Sequence, residues 1–250
     1  MQTNNTDTQK LLFHLNAKFG KAMKTYGLVN DGDKILIGIS GGKDSLAMVE
    51  LFAKRMQIFK PKFSVEAVHV SVSNIPYQAD IEYLKQYCES FNVPFHHVTT
   101  EFDASTDTRK SPCFLCSWNR RKMLFEIAQK YNCNKIALGH HQDDILQTLL
   151  MNITFQGAFS TMPPLLKMNK MDINIIRPLC LIKESDLQKM ADIRGFKKQI
   201  KNCPYEQDSH RSDIKRILQE LETMNPDARH SLWGAMSNIQ NEYLPQKKCI

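Results

Sequence analysis

Lys34-Ile35-Leu36-Ile37-Gly38-Ile39-Ser40-Gly41-Gly42-Lys43-Asp44-Ser45-Leu46-Ala47-Met48-Val49-Glu50-Leu51-Phe52 decides the fold. A short β-branched run breaks into paired glycines and resumes as an apolar helical stretch, which reads strand, tight turn, helix. The glycines let backbone N–H groups close around an anion, and the following helix N-terminus adds partial positive charge, so the turn suits phosphate. The Gly-x-x-x-x-Gly-Lys-Ser/Thr spacing of a Walker A loop is absent. Within the turn, Ser40 and Ser45 offer hydroxyls and Lys43 offsets phosphate charge. Asp44 either holds Mg²⁺ or a catalytic water, or simply caps the helix.

Outward from that stretch the same alternation repeats. Further strands are expected at residues 63–70, 94–98, 135–139 and 173–176, with helices at 8–27, 81–91, 118–131 and 144–155 between and before them. Strand–helix alternation predicts an α/β fold: an open parallel five-stranded sheet with helices on both faces and its site at the strands' carboxyl ends. Beyond about residue 180 only helices are expected, at 184–194, 212–222 and 228–242. The expected organisation is one domain over 1–250, with an N-terminal helix (1–33), an α/β core (34–180) and a helical extension (181–250).

The bulk properties narrow the partners. The 250 residues carry a net charge of +7 and the pI is near 9.0, which favours a polyanion. Basic residues gather at Arg120-Arg121-Lys122, Lys197-Lys198, Lys201, and Arg211 with Lys215-Arg216; on charge alone, solvated helix faces are an equal reading of these runs. No apolar stretch reaches the roughly 20 residues of a membrane helix. The N-terminus lacks an apolar signal core, so a cytoplasmic protein with no membrane partner is expected. Seven cysteines in such a chain point to ligation or redox chemistry at any close pair, not to a disulfide framework.

Two further elements carry chemistry. Gly139-His140-His141-Gln142-Asp143-Asp144 follows the fourth expected strand and belongs in the same crevice as the phosphate turn. Adjacent residues do not share a helix face, so one of Asp143 and Asp144 reaches nucleotide or metal while the other caps the helix. His140 orients phosphate or packs as a neutral ring. Cys113-Phe114-Leu115-Cys116, introduced by Ser111-Pro112, is half a zinc site, a redox pair or part of an iron–sulfur site, and no second C-x-x-C completes a zinc site. Cys203, before Pro204, is the remaining cysteine in a loop-like context. Cys88, Cys133 and Cys180 read as buried apolar thiols.

Ser-Gly-Gly-Lys-Asp-Ser alone resembles the phosphate loop of the ATP pyrophosphatase (PP-loop) superfamily. Together with Pro-Cys-x-x-Cys followed by basic residues, Gly-His-His-x-Asp-Asp, and Met162-Pro163-Pro164 leading to Arg177-Pro178-Leu179, the chain resembles the tRNA 2-thiocytidine synthetase family over about residues 30–220. That resemblance implies ATP-dependent thiolation of an anticodon-loop cytidine, with ATP, Mg²⁺ and a 4Fe–4S cluster as cofactors. Carried over by motif, the cluster ligands are Cys113, Cys116 and Cys203. ATP falls to Ser40, Gly41, Gly42, Lys43, Asp44, Ser45, Gly139, His140 and Asp143. Asp44, Lys43 and Asp143 are assigned to catalysis and Asp44 also to Mg²⁺, with Arg120, Arg121 and Arg211 on the tRNA. A cysteine desulfurase or other sulfur donor and a homodimer are the further partners expected.

Four other readings compete. A non-RNA ATP pyrophosphatase, such as an amidotransferase synthetase, would leave the positive charge without an evident use. A lysidine synthetase shares the phosphate loop but has no use for the cysteines. A uridine thiolase keeps them, but the terminal zinc-finger pairs of its best-known cluster-dependent members are absent here. A metal-stabilised RNA-binding module without turnover would have no need of Ser40–Ser45.

Overall fold

A computed structural model describes residues 5–75, 79–103, 105, 111–169, 171–199 and 210–245. Its coordinates divide into two compact units, Met1–Ile145 with Met162–Gln207, and Leu146–Thr161 with Asp208–Ile250.

In the first unit, α1 (Asn5–Thr25) precedes β1 (Lys34–Gly38), and α2 (Lys43–Met56) follows the phosphate turn. β2 (Ser64–Val72), α3 (Ile81–Ser90), β3 (Phe95–Thr100), α4 (Pro112–Lys130) and β4 (Lys135–Ala137) continue the alternation. α5 (Gln142–Gln156) begins in this unit and ends in the other, after which β5 (Leu165–Leu166), β6 (Asn174–Ile176) and α6 (Glu184–Arg194) complete it. The sheet runs β3-β2-β1-β4-β6-β5, parallel except for β5, which pairs antiparallel to β6. The five expected strands are therefore present and a sixth joins them. β5 is two residues long, too short for a period-2 pattern to register.

This order places the site. From β1 the chain winds outward through β2 and β3, then returns to β4 on the other side of β1. The connections thus leave in opposite directions from β1 and β4, the topological switch point at which open α/β sheets bind ligands beyond their carboxyl ends. Ile35, Leu36 and Ile37 of β1 are fully buried, as a strand covered on both faces requires. α1 packs on α2 through the edge-to-face pair Phe19–Phe52, with ring centroids 5.0 Å apart.

At the amino edge of the sheet, buried Lys135 ties β4 to the entry of β1. Its Nζ lies 2.6 Å from Asp33 Oδ2 and donates to Leu28 O at 2.8 Å. Asn134 Nδ2 donates to the other Asp33 oxygen at 2.7 Å. Both charges are buried, and each is satisfied by the other and by these bonds.

The second unit holds α7 (Arg211–Met224) and α8 (Ala228–Ala235), with a 3₁₀ turn at Asn241–Tyr243. α7 buries Ile214 and Leu218, one turn apart on one face. Arg229 Nε donates to Glu222 Oε1 at 2.6 Å, joining α8 to α7. The helix expected at 228–242 ends at Ala235, and only the 3₁₀ turn follows. Residues 236–240 include Ser237 and Asn238, which favour local side-chain bonds over helix; Ser237 Oγ donates to Gly234 O at 3.1 Å.

Candidate active site

β1 ends at Gly38, yet Ile39 N still donates to Val68 O at 2.8 Å, so the sheet hydrogen bonding reaches the edge of the phosphate turn. Gly41 has φ +82°, a left-handed conformation that glycine adopts without strain. Gly42 is the N-cap of α2 and offers no side-chain acceptor, so the first N–H groups of α2 are not capped from within the helix. Two hydroxyls brace the turn instead. Ser45 Oγ donates to Gly42 O at 2.8 Å, and Ser40 Oγ accepts from Gly42 N at 3.3 Å. The turn therefore opens α2 with backbone N–H groups at a helix N-terminus, a setting suited to an anion.

Charge around that turn is balanced by three side chains. Lys43 Nζ lies 3.4 Å from Asp44 Oδ1 and 3.4 Å from Glu184 Oε1 at the first turn of α6. Burial pushes the Asp44 carboxyl above its usual range, against the opposing pull of Lys43 and His141. Asp44 Oδ1 is buried and accepts no hydrogen bond among the described residues. A desolvated carboxylate oxygen beside a phosphate cradle fits a hard divalent cation such as Mg²⁺.

The other wall of the crevice is the turn after β4. A Cβ on Gly139 would stand 3.3 Å from Ser45 N and 3.5 Å from the Asp44 carbonyl carbon, so a side chain there would press the two turns apart by a few tenths of an ångström. His141 and Asp144 cap α5 reciprocally: His141 N donates to Asp144 Oδ2 at 3.0 Å and Asp144 N to His141 Nδ1 at 3.4 Å. Asp144 is thus the capping member of the acidic pair. Buried Asp143 turns the other way, and its Oδ2 accepts from Glu184 N at 2.8 Å, holding the start of α6 over the crevice.

His140 is fixed from behind. Arg177 Nε donates to His140 Nδ1 at 3.3 Å, and its Nη1 donates to Pro163 O at 2.7 Å. Arg177 N also donates to Pro164 O at 2.8 Å. The Met162-Pro163-Pro164 and Arg177-Pro178 segments, distant in sequence, are therefore one construction around a buried guanidinium. Because a guanidinium only donates, His140 Nδ1 is an acceptor and the ring proton sits on Nε2.

From Ser40 an apolar slot of about 160 Å³ runs between the sheet and α4, lined by Gly38, Val68, Val70, Leu124 and Leu138 with Arg120 and His69. An apolar cavity of about 150 Å³ accepts a ring the size of benzene. A nucleotide with its phosphates in the turn would therefore place its base here. Sequence reasoning put Arg120 on RNA; the fold places it, half-buried, along this slot. Arg121 is exposed on α4, with Nε donating to Ser117 O at 3.2 Å, and Arg211 is exposed at the first turn of α7 in the second unit.

The Cys-x-x-Cys pair lies inside α4, not before it. Ser111 is the N-cap, accepting from Phe114 N at 3.3 Å, and Pro112 occupies the first turn, where its missing N–H costs nothing. Cys113 and Cys116, three residues apart, therefore share one side of the helix start, the first exposed and the second half-buried. Neither forms a disulfide, and two thiols so placed fit iron–sulfur ligation in type and spacing. Among the described residues no third His, Cys, Asp or Glu joins them around a common point. The third expected ligand, Cys203, lies outside the described residues. Cys88, Cys133 and Cys180 are buried as expected, and burial pushes their thiols up to about 12, 11 and 12.

Sequence reasoning missed Glu184 and His69. The first reaches the site only because Asp143 anchors α6 there. The second had one signal, a histidine among the aliphatic residues of a strand buried on both faces.

The PP-loop domain family model matches residues 11–221. The chain is 32% identical over 248 residues to the tRNA-cytidine(32) 2-sulfurtransferase of Paraburkholderia xenovorans, covering 97% of this chain and 73% of that one. It is 32% identical over 246 residues to the protein of the same name from Acinetobacter baylyi, covering 95% and 80%. Among solved structures, the U34-tRNA thiolase NcsA of Methanococcus maripaludis with its 4Fe–4S cluster superposes with a TM-score of 0.74 at 25% identity, over 93% of this chain and 81% of that one.

Proposed function

The chain belongs to the PP-loop family that includes the tRNA-cytidine(32) 2-sulfurtransferases, and from that premise we propose that it uses ATP to replace the C2 oxygen of an anticodon-loop cytidine, position 32, by sulfur. The observation that carries this reading is the pairing, on one chain, of a phosphate-cradling turn at the sheet's switch point with a Cys-x-x-Cys pair opening the helix that covers the neighbouring slot.

The C2 carbonyl of cytidine is urea-like, a poor electrophile with no leaving group. Attack of its oxygen on the α-phosphorus of ATP expels pyrophosphate and leaves the base adenylated. A sulfur nucleophile then adds at C2 and AMP departs with the oxygen. The N–H groups opening α2 and the Lys43 ammonium are placed to hold phosphate oxygens as charge develops on them. His140, with its proton on Nε2, would offer that donor to a phosphate oxygen. The Asp143 carboxylate keeps Glu184 and α6 in place beside Lys43.

Two groups the fold implies match donor types present here, a carboxylate at Asp44 and thiols at Cys113 and Cys116. Mg²⁺ at Asp44 would offset triphosphate charge, and a 4Fe–4S cluster on Cys113, Cys116 and Cys203 would supply the sulfur nucleophile. Three protein thiols leave one iron without a protein ligand. The +7 charge suits tRNA, with Arg121 and Arg211 as exposed candidates for its phosphates. A cysteine desulfurase or similar donor, a homodimer and a cytoplasmic setting complete the proposal. No helix among the described residues is long and apolar enough to cross a membrane.

The test is release of AMP and pyrophosphate from ATP with and without unmodified tRNA. Formation of both in equal amounts, dependent on tRNA and weakened by salt, supports the reading. Phosphate and ADP as the products would contradict it.

A further inference from the structure

One stripe of α4 is turned to solvent and mixes rings with cations. Phe114, Ser117, Trp118, Arg121 and Lys122 stand at i, i+3, i+4, i+7 and i+8 of the helix, and all five are exposed. Other faces of α4 hold the buried Leu115 and the slot-lining Arg120 and Leu124, so the contacts already described leave this stripe unused. Trp118 is 50% exposed and Phe114 43%, and one turn apart they are neighbours on the helix surface. An exposed apolar residue standing singly is ordinary, whereas adjacent large rings rimmed by charge mark a binding surface. The rim here is cationic. Lys122 Nζ lies 6.0 Å from the centre of the Trp118 ring, and the Arg121 guanidinium bonds only the Ser117 carbonyl among the described residues. Glu126, 3.7 Å from Lys122, is the one carboxylate in α4. Both ends of that pair are about half exposed, so a polyanion can displace it at small cost.

We propose that this stripe is a stacking platform for single-stranded RNA, with a base of the anticodon loop lying on the Trp118 indole and neighbouring phosphates held by Arg121 and Lys122. The inference rests on the tRNA reading above and adds to it the ring and the surface that receive the loop. Single-stranded RNA is the occupant that suits both halves of the stripe. An aromatic ring stacks on any unpaired base, and cations one turn further along the helix meet the backbone that carries it. A protein partner, or a second copy of this chain, would instead have to cover Lys122 beside the rings, and the cores of protein interfaces are depleted in lysine. The net charge of +7 favours the polyanion in the same way. The exposed Cys113 precedes Phe114 at the same end of α4, so a loop held on this stripe is held next to the thiol pair.

The test is equilibrium binding of the whole chain, reconstituted with iron and sulfide, to a labelled anticodon stem–loop and to a blunt RNA duplex with the same number of phosphates. Trp118→Ala should weaken stem–loop binding about tenfold and duplex binding by under about twofold, with the slope of log affinity against log salt unchanged. Trp118→Leu keeps apolar bulk without a ring and should lose as much, so the result stands if the alanine variant folds poorly. Trp118→Phe keeps a ring and should stay within about threefold of the wild type. Arg121→Ala should weaken both RNAs and make the salt slope shallower by about 0.7–0.9. A folded Trp118→Ala protein with wild-type iron content and wild-type affinity for the stem–loop would overturn the inference. So would an equal loss on both RNAs, or a variant changed only in its assembly state on sedimentation, which would make the stripe a contact between copies of the chain. Failure of the wild type to bind the stem–loop at all would bring down the tRNA reading, and this inference with it.

Discussion

Arg194→Ala should loosen the helix that carries the phosphate turn, by an amount the structure sets. Glu50, in the middle of α2, is 1% exposed and charged. Arg194, the last residue of α6, grips it in a fork: Nη2 donates to Oε1 at 2.6 Å and Nε to Oε2 at 3.0 Å. Lys54 Nζ lies 2.6 Å from Oε1. Burial would raise the Glu50 carboxyl, but the bonds from Arg194 and Lys54 outweigh it and hold the group below its usual range. Removing one partner of a buried pair costs about 3–5 kcal/mol. Arg194 is itself partly exposed and Lys54 remains, so about 2–3 kcal/mol is expected. For a chain of this size that lowers Tm by about 4–12 °C. The sign with pH follows from the lowered carboxyl. Its contribution is complete above the unfolded value near 4.3 and is lost as pH falls through the folded value, so the gap between wild type and variant should be full at pH 7 and shrink below about pH 4. Thermal melts of wild type, Arg194→Ala, Glu50→Gln and the double variant at both pH values provide the check. In the Glu50→Gln background Arg194→Ala should cost under about 1 kcal/mol. A drop of under 1–2 °C at pH 7, or an equal drop at both pH values, would refute the reasoning.

Gly41→Ala forces a Cβ onto a left-handed residue and to within 2.8 Å of Gln199 Cγ; it should cost about 1–2 kcal/mol and weaken ATP binding. Gly27→Ala, equally left-handed but with nothing near, should cost similar stability and leave ATP affinity unchanged, which calorimetric titration of both variants would show. Asp44→Asn should cut tRNA-dependent AMP release by about 10²-fold or more while iron content holds, so loss of iron in this variant would contradict the placement of Asp44 at phosphate. Cys113→Ala and Cys116→Ala should do the reverse, as iron analysis beside ATP titration would reveal. In the unloaded wild type, iodoacetamide should label Cys113 well before buried Cys88, Cys133 or Cys180.

The sequence made legible whatever has a short-range physical signature. The β1–turn–α2 unit was readable because paired glycines interrupt a β-branched run, and the parallel core because short β-rich runs alternate with helical stretches. The capping of α5 was readable only as an either-or, since nothing local says that Asp144 turns back to His141 while Asp143 reaches Glu184. β5 escaped because two residues carry no period. α4 begins six residues before the helix expected at 118–131, because Ser111 and Pro112 become recognisable as an N-cap and a first-turn proline only once the helix is seen to start there. Arg177 was visible as part of a motif, but its bonds to His140 and Pro163 exist only after β6 is laid beside β4. His69 and Glu184 belong to the same class, side chains whose roles come from tertiary neighbours.

The measurement that bears most directly on the central claim is nucleoside mass spectrometry of unmodified tRNA after incubation with the protein, reconstituted without oxygen, and ATP, Mg²⁺ and sulfide. The expected products are 2-thiocytidine at position 32 and one AMP for each sulfur incorporated, with none formed without ATP. A thiolated uridine, a lysine-bearing cytidine, or sulfur incorporated without AMP would contradict it.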